Sequence, residues 1–448
     1  MSNMKECEVG VFDSYNILDY DIEKVEKSIN KIIEVINSDE LFTGENLDIH
    51  SYSSILLFLT EIRDVINKDI IIEELIQKCV AKLKVSLEES TAGIPQGAFG
   101  GLTDIGYAIY GINTTLSGYS KFLNSLNKYI MQINLQLIEY IRYNIGNLHA
   151  SSYDAIMGLS GNLAYLLLFK DNPEIVENIN AIIDVLVLMT KDIEVYGKAV
   201  PGWYTTRDNH FLEEERKYYI NGSFNYGLSH GVSGILAVLS MALIEGFERD
   251  GQREAVEKIL SELTKKTSVD EKGYIYWPGR VSFEDYIKGE CSGSRERESW
   301  CYGTPGIARA IFLGGKAIND CDSMRLAIDA FEKICSMDEK DFMLISPIIC
   351  HGYSGVLASI HAMYSDTGNA MFDIGRKKMF HLTLKCFDDN FKYGFCDFEI
   401  NKNTGDGEYK IMCKDDVGLI EGATGVVLSL LLLIKPSKTK WLKHLLLN

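Results

Sequence analysis

The amino-acid sequence predicts an all-α protein, an α/α toroid (barrel) of about seven inner and seven outer helices with a small β-rich extension. Three observations favour this fold. A short glycine motif recurs at intervals of roughly 50 to 70 residues, a period typical of helical repeat arrays. Amphipathic segments alternate with uniformly apolar ones, and each motif opens an apolar segment. The residue before each motif has the same place in its repeat and is often polar, which indicates a ring that directs side chains toward one shared site.

The motif has the form Gly-x-Ser/Thr/Pro-Gly. Five complete copies begin at Gly158, Gly231, Gly303, Gly352 and Gly422, and a degenerate copy at Gly101 has Asp104 in place of the second glycine. Ser and Thr side chains cap the free amides of a first helical turn, and Pro is tolerated there because it has no amide to lose. Each copy is therefore predicted to start a helix, with close backbone contact at its glycines.

Seven helix pairs follow when the chain is read in order. Residues 22–36 have the apolar spacing of an outer amphipathic helix, and residues 53–65 are more uniformly apolar, as expected for a buried inner helix. Six further amphipathic segments lie near 72–89, 121–146, 174–191, 252–266, 322–336 and 369–390. Each is followed by an apolar segment that starts near 101, 158, 231, 303, 352 or 422. The apolar helices are predicted to line a central cavity inside the amphipathic ones.

Residues 1–448 are predicted to form one toroid with two insertions. The stretches at about 192–228 and 270–300 mix aromatic and β-branched residues with glycines and charges, and they are too irregular for helices. They are predicted to form short strands and loops over one mouth of the cavity. The tail from Lys435 to Lys443 is basic within an acidic chain. It is predicted to be a solvated closing segment, with a membrane or partner contact as the alternative.

The bulk composition restricts the class of protein. A net charge of −18 argues against nucleic acid as a partner. The longest apolar candidate, residues 426–434, is about half of the roughly 18 to 20 residues that a membrane span needs. The polar N-terminus has no signal-peptide core, so a cytoplasmic location is expected, with mostly reduced cysteines. Cys7, Cys396 and Cys413 are among those predicted only to pack as small apolar residues.

Three residues are candidate metal ligands. Cys301 and the adjacent pair Cys350 and His351 precede two consecutive motifs, so they are predicted to face each other across the same rim. Two thiolates and an imidazole suit zinc, and an open fourth position would admit a substrate. Because two thiolates neutralise the dication, such a zinc ion favours activation of an incoming thiol over activation of water. The alternative is two ordinary buried cysteines and a histidine satisfied within the core.

Four further residues are candidates for proton transfer and for the stabilisation of charge during a reaction. His230 occupies the position before the preceding motif, where the positive end of the next helix favours the neutral imidazole useful for proton transfer. Asp154 lies one turn before Gly158, Arg297 lies four residues before Cys301, and Tyr302 follows Cys301 directly. A guanidinium at Arg297 would stabilise a developing oxyanion. The alternatives are a helix-capping role for Asp154 and a solvated surface charge for Arg297.

The sequence around these residues resembles a known family. The blocks Trp300-Cys301-Tyr302-Gly303 and Cys350-His351-Gly352 together resemble the signature of lanthionine synthetase C-like proteins, the lantibiotic cyclases. Ser229-His230-Gly231 and Tyr153-Asp154 are further matches, and the resemblance spans about residues 95–435. The one visible departure is Asp104, which bears on the geometry of its repeat and not on the metal.

The resemblance implies a seven-pair toroid with one zinc ion at the cavity mouth. Cys301, Cys350 and His351 would bind the zinc, and His230 would act as an acid/base group, supported by Asp154, Arg297 and Tyr302 around a reacting enolate. The substrate would be a dehydrated lantibiotic precursor peptide, whose cysteines add to dehydroalanine or dehydrobutyrine to form thioether rings. The resemblance also implies a complex with a dehydratase and a transporter at the cytoplasmic membrane face, and a β-rich extension that engages the leader peptide.

Three alternative functions remain open on the sequence. The first is a non-catalytic or glutathione-binding zinc toroid, which holds a thiol without adding it to an acceptor. The second is a protein prenyltransferase-like enzyme, which also uses a thiolate on zinc in a helical toroid but is expected to use an Asp-Cys-His ligand set. The third is a metal-free scaffold for peptide binding.

Overall fold

Two concentric layers of helices make up most of the computed structural model, which describes residues 15–38, 47–66, 68–89, 93–291, 293–401 and 410–448. Seven inner helices lie within these residues: α2 (Ile49–Ile62), α4 (Leu102–Thr115), α6 (Leu159–Leu166), α8 (Val232–Ile244), α10 (Thr304–Ile318), α12 (Tyr353–Thr367) and α14 (Ala423–Leu431). Seven outer helices alternate with them: α1 (Asp19–Asn37), α3 (Asp69–Glu89), α5 (Ser120–Asn144), α7 (Pro173–Met189), α9 (Gln252–Lys265), α11 (Cys321–Ser336) and α13 (Ala370–Lys385).

The inner helices form a closed ring. Each packs against the next inner helix along the chain, and α14 packs against α2. In α8 every residue from Val232 to Ala242 is buried, whereas α1 buries one face, on which Val25, Ile29, Ile32 and Ile36 recur at helical spacing. The predicted α/α toroid is confirmed. Among the described helices, none combines the length and the apolar character that a membrane crossing requires.

The serine and threonine of the motif do not cap the helices, so that part of the prediction is wrong. The first glycine is the capping residue of each inner helix that carries a motif, in extended conformation and without a side-chain cap. The Ser160 hydroxyl donates to the carbonyl oxygen of Tyr153 at 2.5 Å, and Ser233 donates to Tyr226 at 2.6 Å. The preceding loop folds back over the first turn, and this places its carbonyl groups beside the hydroxyls.

The second glycine of the motif is required by close backbone approach. A methyl group at Gly234 would lie closer than 3.0 Å to the carbonyl oxygen of Leu228, and Gly355 has the same relation to Ile349. In the degenerate copy, helix α4 still begins at Leu102, although Asp104 replaces this glycine. The Asp104 carboxylate there accepts hydrogen bonds from the Gly100 amide and the His50 ring, both at Oδ2. The departure therefore leaves the start of the helix intact.

A belt of backbone hydrogen bonds joins the loops that precede consecutive inner helices. Its bonds include Phe99 N to Ile156 O at 3.1 Å, Ala155 N to Ser229 O at 2.9 Å, Leu228 N to Cys301 O at 2.8 Å, Cys301 N to Cys350 O at 3.2 Å, and Cys350 N to Ile420 O at 2.8 Å. The belt lies at the mouth where the inner helices begin. It places the residues before successive motifs side by side, as the repeat predicted.

Besides the helices, the described residues contain four two-stranded antiparallel sheets. They pair β1 (Asp192–Val195) with β2 (Lys198–Pro201), β3 (Ser223–Asn225) with β6 (Arg280–Ser282), β4 (Ser268–Val269) with β5 (Ile275–Tyr276), and β7 (Asp397–Asn401) with β8 (Lys410–Lys414). Two short helices, Glu213–Tyr218 and Phe283–Lys288, lie in the same stretches as β3 and β6. The pairing of β3 with β6 joins the two irregular stretches of the sequence to each other.

The C-terminal tail is solvated only in its first part, around residues 436–438, which corrects the prediction for the residues that follow. It contains the short helix Trp441–His444, and nearly every residue from Thr439 to Leu447 is buried, Lys440 being exposed. Near its start, Thr439 is bound by Glu61 at the C-terminal end of α2. Further along, the Trp300 ring donates to the Leu445 carbonyl at 2.9 Å beside the opposite mouth. The tail therefore fills the axis of the inner ring.

Two of the four lysines that made the tail look solvated pair with acidic residues at the ends of inner helices. Lys435 lies 3.2 Å from Glu61, and Lys443 forms an ion pair with Glu245 at the end of α8. Glu61 Oε1 also accepts hydrogen bonds from the Ser437 hydroxyl at 2.7 Å and from the Thr439 amide at 2.8 Å. This buried carboxylate anchors the tail at the end of the axis where it enters.

Replacing Glu61 with Gln is expected to lower the free energy of unfolding at pH 7 by about 2–3 kcal/mol, because charge-assisted bonds are lost while Lys435 stays partly buried. Burial raises the pKa of Glu61, but hydrogen bonds from Thr439 and Ser437 and the charge of Lys435 bring it below its ordinary value. The stabilisation is therefore present above the unfolded pKa of about 4.3 and is lost as pH falls through the lower folded pKa.

Urea unfolding at pH 7 and at about pH 3 measures this effect. The difference in the free energy of unfolding between wild type and Glu61→Gln should be smaller at the acidic pH. Glu139→Gln is the control, because Glu139 pairs with Arg142 on the solvent-exposed side of α5. It should cost less than about 0.5 kcal/mol. An equal gap at both pH values would contradict the role given to the Glu61 charge.

One pair of cysteines is joined, which corrects their prediction as small packing residues. Cys396 and Cys413 form a disulfide, with Cα atoms 5.8 Å apart, beside and within the hairpin of β7 and β8. The strand pairing brings together residues that are 17 positions apart in sequence, and composition alone does not reveal this. Cys79 and Cys335 are free and buried, and burial raises the pKa of each thiol to about 12. Cys7 lies outside the described residues.

Candidate metal centre and acid–base pair

The two candidate thiol ligands lie together at the mouth. Cys301 lies in the loop before α10 and Cys350 lies in the loop before α12, and the belt joins them directly through Cys301 N and Cys350 O. Cys301 is buried, and its sulfur also lies 3.5 Å from the Ser299 hydroxyl. A hydrogen bond between the two thiols lowers the pKa of Cys301 to about 6 and raises the pKa of Cys350. The pair therefore loses its first proton readily.

His351 lies beside the thiols and faces a carboxylate. Its Nε2 atom is 3.3 Å from Asp397 Oδ1, within ion-pair range but not aligned as a hydrogen bond. Among the described residues, His351, Asp397 and Glu399 form one of the groups whose possible ligand atoms all lie within 4.8 Å of one another. Cys301, Cys350 and His351 do not form such a group. The structure thus brings the two sulfurs together and turns the His351 ring toward Asp397.

The residues at this point fit a zinc ion by their chemistry. Two sulfurs and an imidazole are a common zinc donor set, and one sulfur here ionises readily. The buried Nε2 atom of His351 has no well-aligned hydrogen-bond partner, yet it faces a carboxylate, as the non-ligating nitrogen of a metal-binding histidine commonly does. Cys396, Cys413 and Asp415 form the other compact group of possible ligands among the described residues, but its two sulfurs are joined to each other.

Asp154, which is buried, and His230 form a pair at the next point along the mouth. His230 Nδ1 lies 2.6 Å from Asp154 Oδ2. The other carboxylate oxygen of Asp154 accepts hydrogen bonds from the amides of Ile156, Met157 and Gly158 at 2.7–3.1 Å. Asp154 therefore combines the two roles considered for it, because it caps the turn before α6 and also holds the histidine. The His230 side chain is 24% exposed, so its ring reaches the mouth.

Near this pair, Tyr302 is partly buried and Arg297 is exposed. The ring centroids of Tyr302 and His230 are 6.2 Å apart, and the Tyr302 hydroxyl accepts a hydrogen bond from Asn225 Nδ2 at 3.4 Å. Burial raises the pKa of Tyr302, so its hydroxyl keeps its proton at neutral pH. Arg297 is exposed in the loop before Cys301. Its charge still lowers the pKa of the Cys301 thiol, as a smaller contribution than that of Cys350.

Three residues of the site were not predicted from the sequence. Asp397 faces His351, Asn225 binds Tyr302, and the Phe211 ring lies 4.8 Å from the His230 ring, centroid to centroid. All three come from strands or loops outside the glycine repeat, so no periodic signal marked them. A cavity of about 380 Å³ adjoins the site and is lined by Tyr302 and by residues of both irregular stretches, including Tyr219 and Arg280.

Comparisons with known proteins identify the family and the fold. The family model described as "Lanthionine synthetase C-like protein" matches residues 45–446. The chain is 29% identical over 349 residues to the nisin biosynthesis protein NisC of Lactococcus lactis subsp. lactis, which covers 75% of this chain and 79% of that protein. A solved structure titled "Nisin cyclase" has a TM-score of 0.78 at 24% identity, over 95% of this chain and 98% of that one. That likeness shows a shared fold.

Proposed function

The chain belongs to the lanthionine synthetase C-like family, and from this premise we propose that it is a zinc-dependent lantibiotic cyclase. Its substrate is a precursor peptide that already carries dehydroalanine or dehydrobutyrine. The peptide's cysteine sulfur adds to the β-carbon of the dehydrated residue, and the α-carbon gains a proton. The product is a lanthionine or methyllanthionine thioether ring, and no oxidant or reductant is needed because the thiol adds across a double bond.

The observation that carries this proposal is the direct link between the two candidate sulfur ligands. The belt holds Cys301 and Cys350 together through backbone atoms, with His351 adjacent. Cys301, Cys350 and His351 would hold one zinc ion. Such an ion, when bound, supplies a position at which a peptide thiol loses its proton and stays nucleophilic. Because the ligands stand on loops tied to neighbouring inner helices, the substrate sulfur would be held at one defined place on the rim.

Asp154 and His230 would transfer the proton in the last step of the reaction, with His230 as the donor and Asp154 holding its ring. The Asp154 carboxylate faces Nδ1 of His230 and favours the proton on that nitrogen, which leaves Nε2 for exchange at the mouth. A proton taken up at Nε2 can be passed to the α-carbon of the peptide after the sulfur has added. Asp154 is fully buried and bound by three amides, so it keeps the imidazole in one orientation throughout.

Tyr302 and Arg297 would stabilise the negative charge that develops on the peptide carbonyl oxygen as the C–S bond forms. Tyr302 offers a protonated hydroxyl beside His230, and Arg297 contributes a positive charge from the loop before Cys301. Both act by stabilising an enolate oxygen, which requires donors already in place at that point. The exposed Arg297 side chain would act once the peptide shields it from solvent.

The irregular stretches 192–228 and 270–300 would contact the peptide on either side of the reacting residues. The cavity beside Tyr302 is lined by Tyr218, Tyr219 and Arg280, and the Arg280 guanidinium is paired with Glu215 at 3.1 Å, so the cavity offers aromatic faces and charged groups of both signs to an extended peptide. Strands β3 and β6 connect the two stretches and support this surface as one unit. A dehydratase and a transporter at the cytoplasmic membrane face are the proposed partners, because the substrate must be dehydrated before cyclisation and exported after it.

Incubation of the purified, zinc-loaded protein with a dehydrated precursor peptide tests the function. Cyclisation leaves the mass unchanged, so the readout is the loss of peptide thiols that iodoacetamide can alkylate, followed by mass spectrometry. We expect alkylation to disappear with time in the presence of the protein and to persist without it. A protein that contains zinc and binds the peptide, yet leaves every thiol alkylatable, would indicate the non-catalytic thiol-binding alternative.

A further inference from the structure

The histidines at the mouth use different ring nitrogens toward their carboxylate partners. His230 and His50 each present Nδ1, at 2.6 and 2.7 Å. His351 instead presents Nε2 to Asp397 Oδ1 at 3.3 Å. A carboxylate favours a proton on the nitrogen that it faces and leaves the lone pair on the other one. Asp397 therefore favours a His351 ring whose Nδ1 atom has its lone pair free.

We infer that Asp397 is a positioning residue for the metal centre, which holds the His351 ring so that Nδ1 is the nitrogen available to zinc. This inference rests on the proposed function, because it concerns the same centre. A metal-binding histidine commonly directs its other ring nitrogen to a carboxylate, which sets the ring's orientation and raises its basicity. Loss of such a partner typically weakens metal affinity about 10- to 100-fold.

The position of Asp397 is itself tightly defined. The side chain is buried at the first residue of β7, and its Oδ1 atom accepts a hydrogen bond from the Ser346 hydroxyl at 2.7 Å. The same hydroxyl accepts from the Phe398 amide at 3.3 Å, and the Ser346 carbonyl accepts from the Tyr353 amide at 3.0 Å. Ser346 thus connects the strand that carries Asp397 to the start of α12, two residues after His351. The carboxylate and the imidazole are anchored to one another through a short, hydrogen-bonded path.

Glu399 provides a matched comparison within the same strand. Its carboxylate also lies within 4.8 Å of possible ligand atoms of His351 and Asp397, but Glu399 is exposed. Solvent screens an exposed charge strongly, so the contribution of Glu399 to the orientation of the ring should be small. Asp397→Asn and Glu399→Gln each remove one negative charge from β7. Burial and attachment to Ser346 are what distinguish the two residues.

The test measures the zinc affinity of the full-length wild type, Asp397→Asn and Glu399→Gln by competition with a chromogenic chelator. We expect Asp397→Asn to bind zinc about 10- to 100-fold more weakly than wild type, and Glu399→Gln to stay within about twofold. Equal affinity in wild type and Asp397→Asn would overturn the inference. An equal loss in both variants would overturn it as well, because it would indicate a general effect of negative charge.

Cobalt substitution separates a positioning role from direct coordination. With saturating cobalt, the visible absorption bands of Asp397→Asn should keep the wild-type positions, because the ligand set is unchanged. A shift of these bands away from the wild-type positions would mean that the substitution changes the ligand set and that Asp397 is itself a ligand, and the positioning role would then be wrong. This readout does not depend on cyclase activity.

Ser346→Ala keeps the test decisive if Asp397→Asn does not fold, which thermal unfolding of the metal-free proteins will show. This variant retains the carboxylate but removes the hydroxyl that anchors it, so a smaller loss of zinc affinity is expected; unchanged affinity would overturn the inference. The two proposals fail in different ways. A wild type that binds no zinc and closes no rings removes the proposed function, whereas a cyclising, zinc-bound wild type with an equally tight Asp397→Asn variant removes only the positioning role.

Discussion

Cys301→Ala is expected to lose zinc and cyclase activity together. Cys301 is the candidate ligand on α10's loop, and its removal leaves Cys350 and His351 from a single neighbouring loop, too few protein ligands for a catalytic zinc site. The zinc content measured by metal analysis should fall from about one ion per chain to a trace. Alkylation of the dehydrated peptide should proceed as it does without enzyme.

Cys321→Ala is the matched control for this variant, because it makes the same change at an exposed thiol at the first position of α11. It should retain wild-type zinc content and activity. Cys301 is buried, so the fold of the Ala variant needs checking by circular dichroism. A folded Cys301→Ala protein that still contains stoichiometric zinc, or that closes rings at the wild-type rate without it, would remove the basis of the proposed metal centre.

His230→Ala is expected to keep its zinc and to lose about 10²- to 10⁴-fold in the rate of ring closure, the range typical of a lost general acid or base. The His230 ring contacts Asp154 and Phe211, and neither is a candidate ligand, so metal binding should not change. Any rings that form should be mixed in configuration at the α-carbon, because solvent can then deliver the proton from either side.

Chiral analysis of the hydrolysed thioether amino acids measures the configuration, and peptide alkylation measures the rate. His381→Ala is the control, because His381 lies on the outer helix α13 and pairs with Asp21 of α1. It should leave rate, zinc content and product configuration unchanged. Rings formed by His230→Ala at the wild-type rate with a single configuration would rule out a proton-transfer role for His230.

The ring architecture was predictable because its signal is local and repeated. Each motif carries its own requirement for close backbone approach, as at Gly234 and Gly355, so the start of every motif-bearing inner helix is encoded within a few residues. The belt of hydrogen bonds then converts equal places in sequence into neighbouring places in space. The nearness of Cys301 and Cys350 therefore followed from the pattern without knowledge of any long-range contact.

Two of the features that the sequence did not reveal depend on partners far along the chain. Lys435 reads as a solvated charge until its contact with Glu61, 374 residues away, is known. Asp397 belongs to a hairpin that is not part of the repeat, so nothing periodic connects it with His351. The capping prediction failed for a local reason, since the loop before each motif-bearing helix places carbonyl groups next to the motif hydroxyls.

The occupied axis has a consequence for how a long substrate is handled. Residues from Thr439 to Leu447 fill the centre of the inner ring up to Trp300, beside Cys301. A polypeptide therefore cannot be threaded from one face of the molecule to the other. Under the proposed function, each segment has to loop in and withdraw through a single entrance, and finished rings never need to pass through the interior. The peptide would then be processed in a series of separate binding events. Because no channel passes through the protein, no channel sets an upper limit on peptide length.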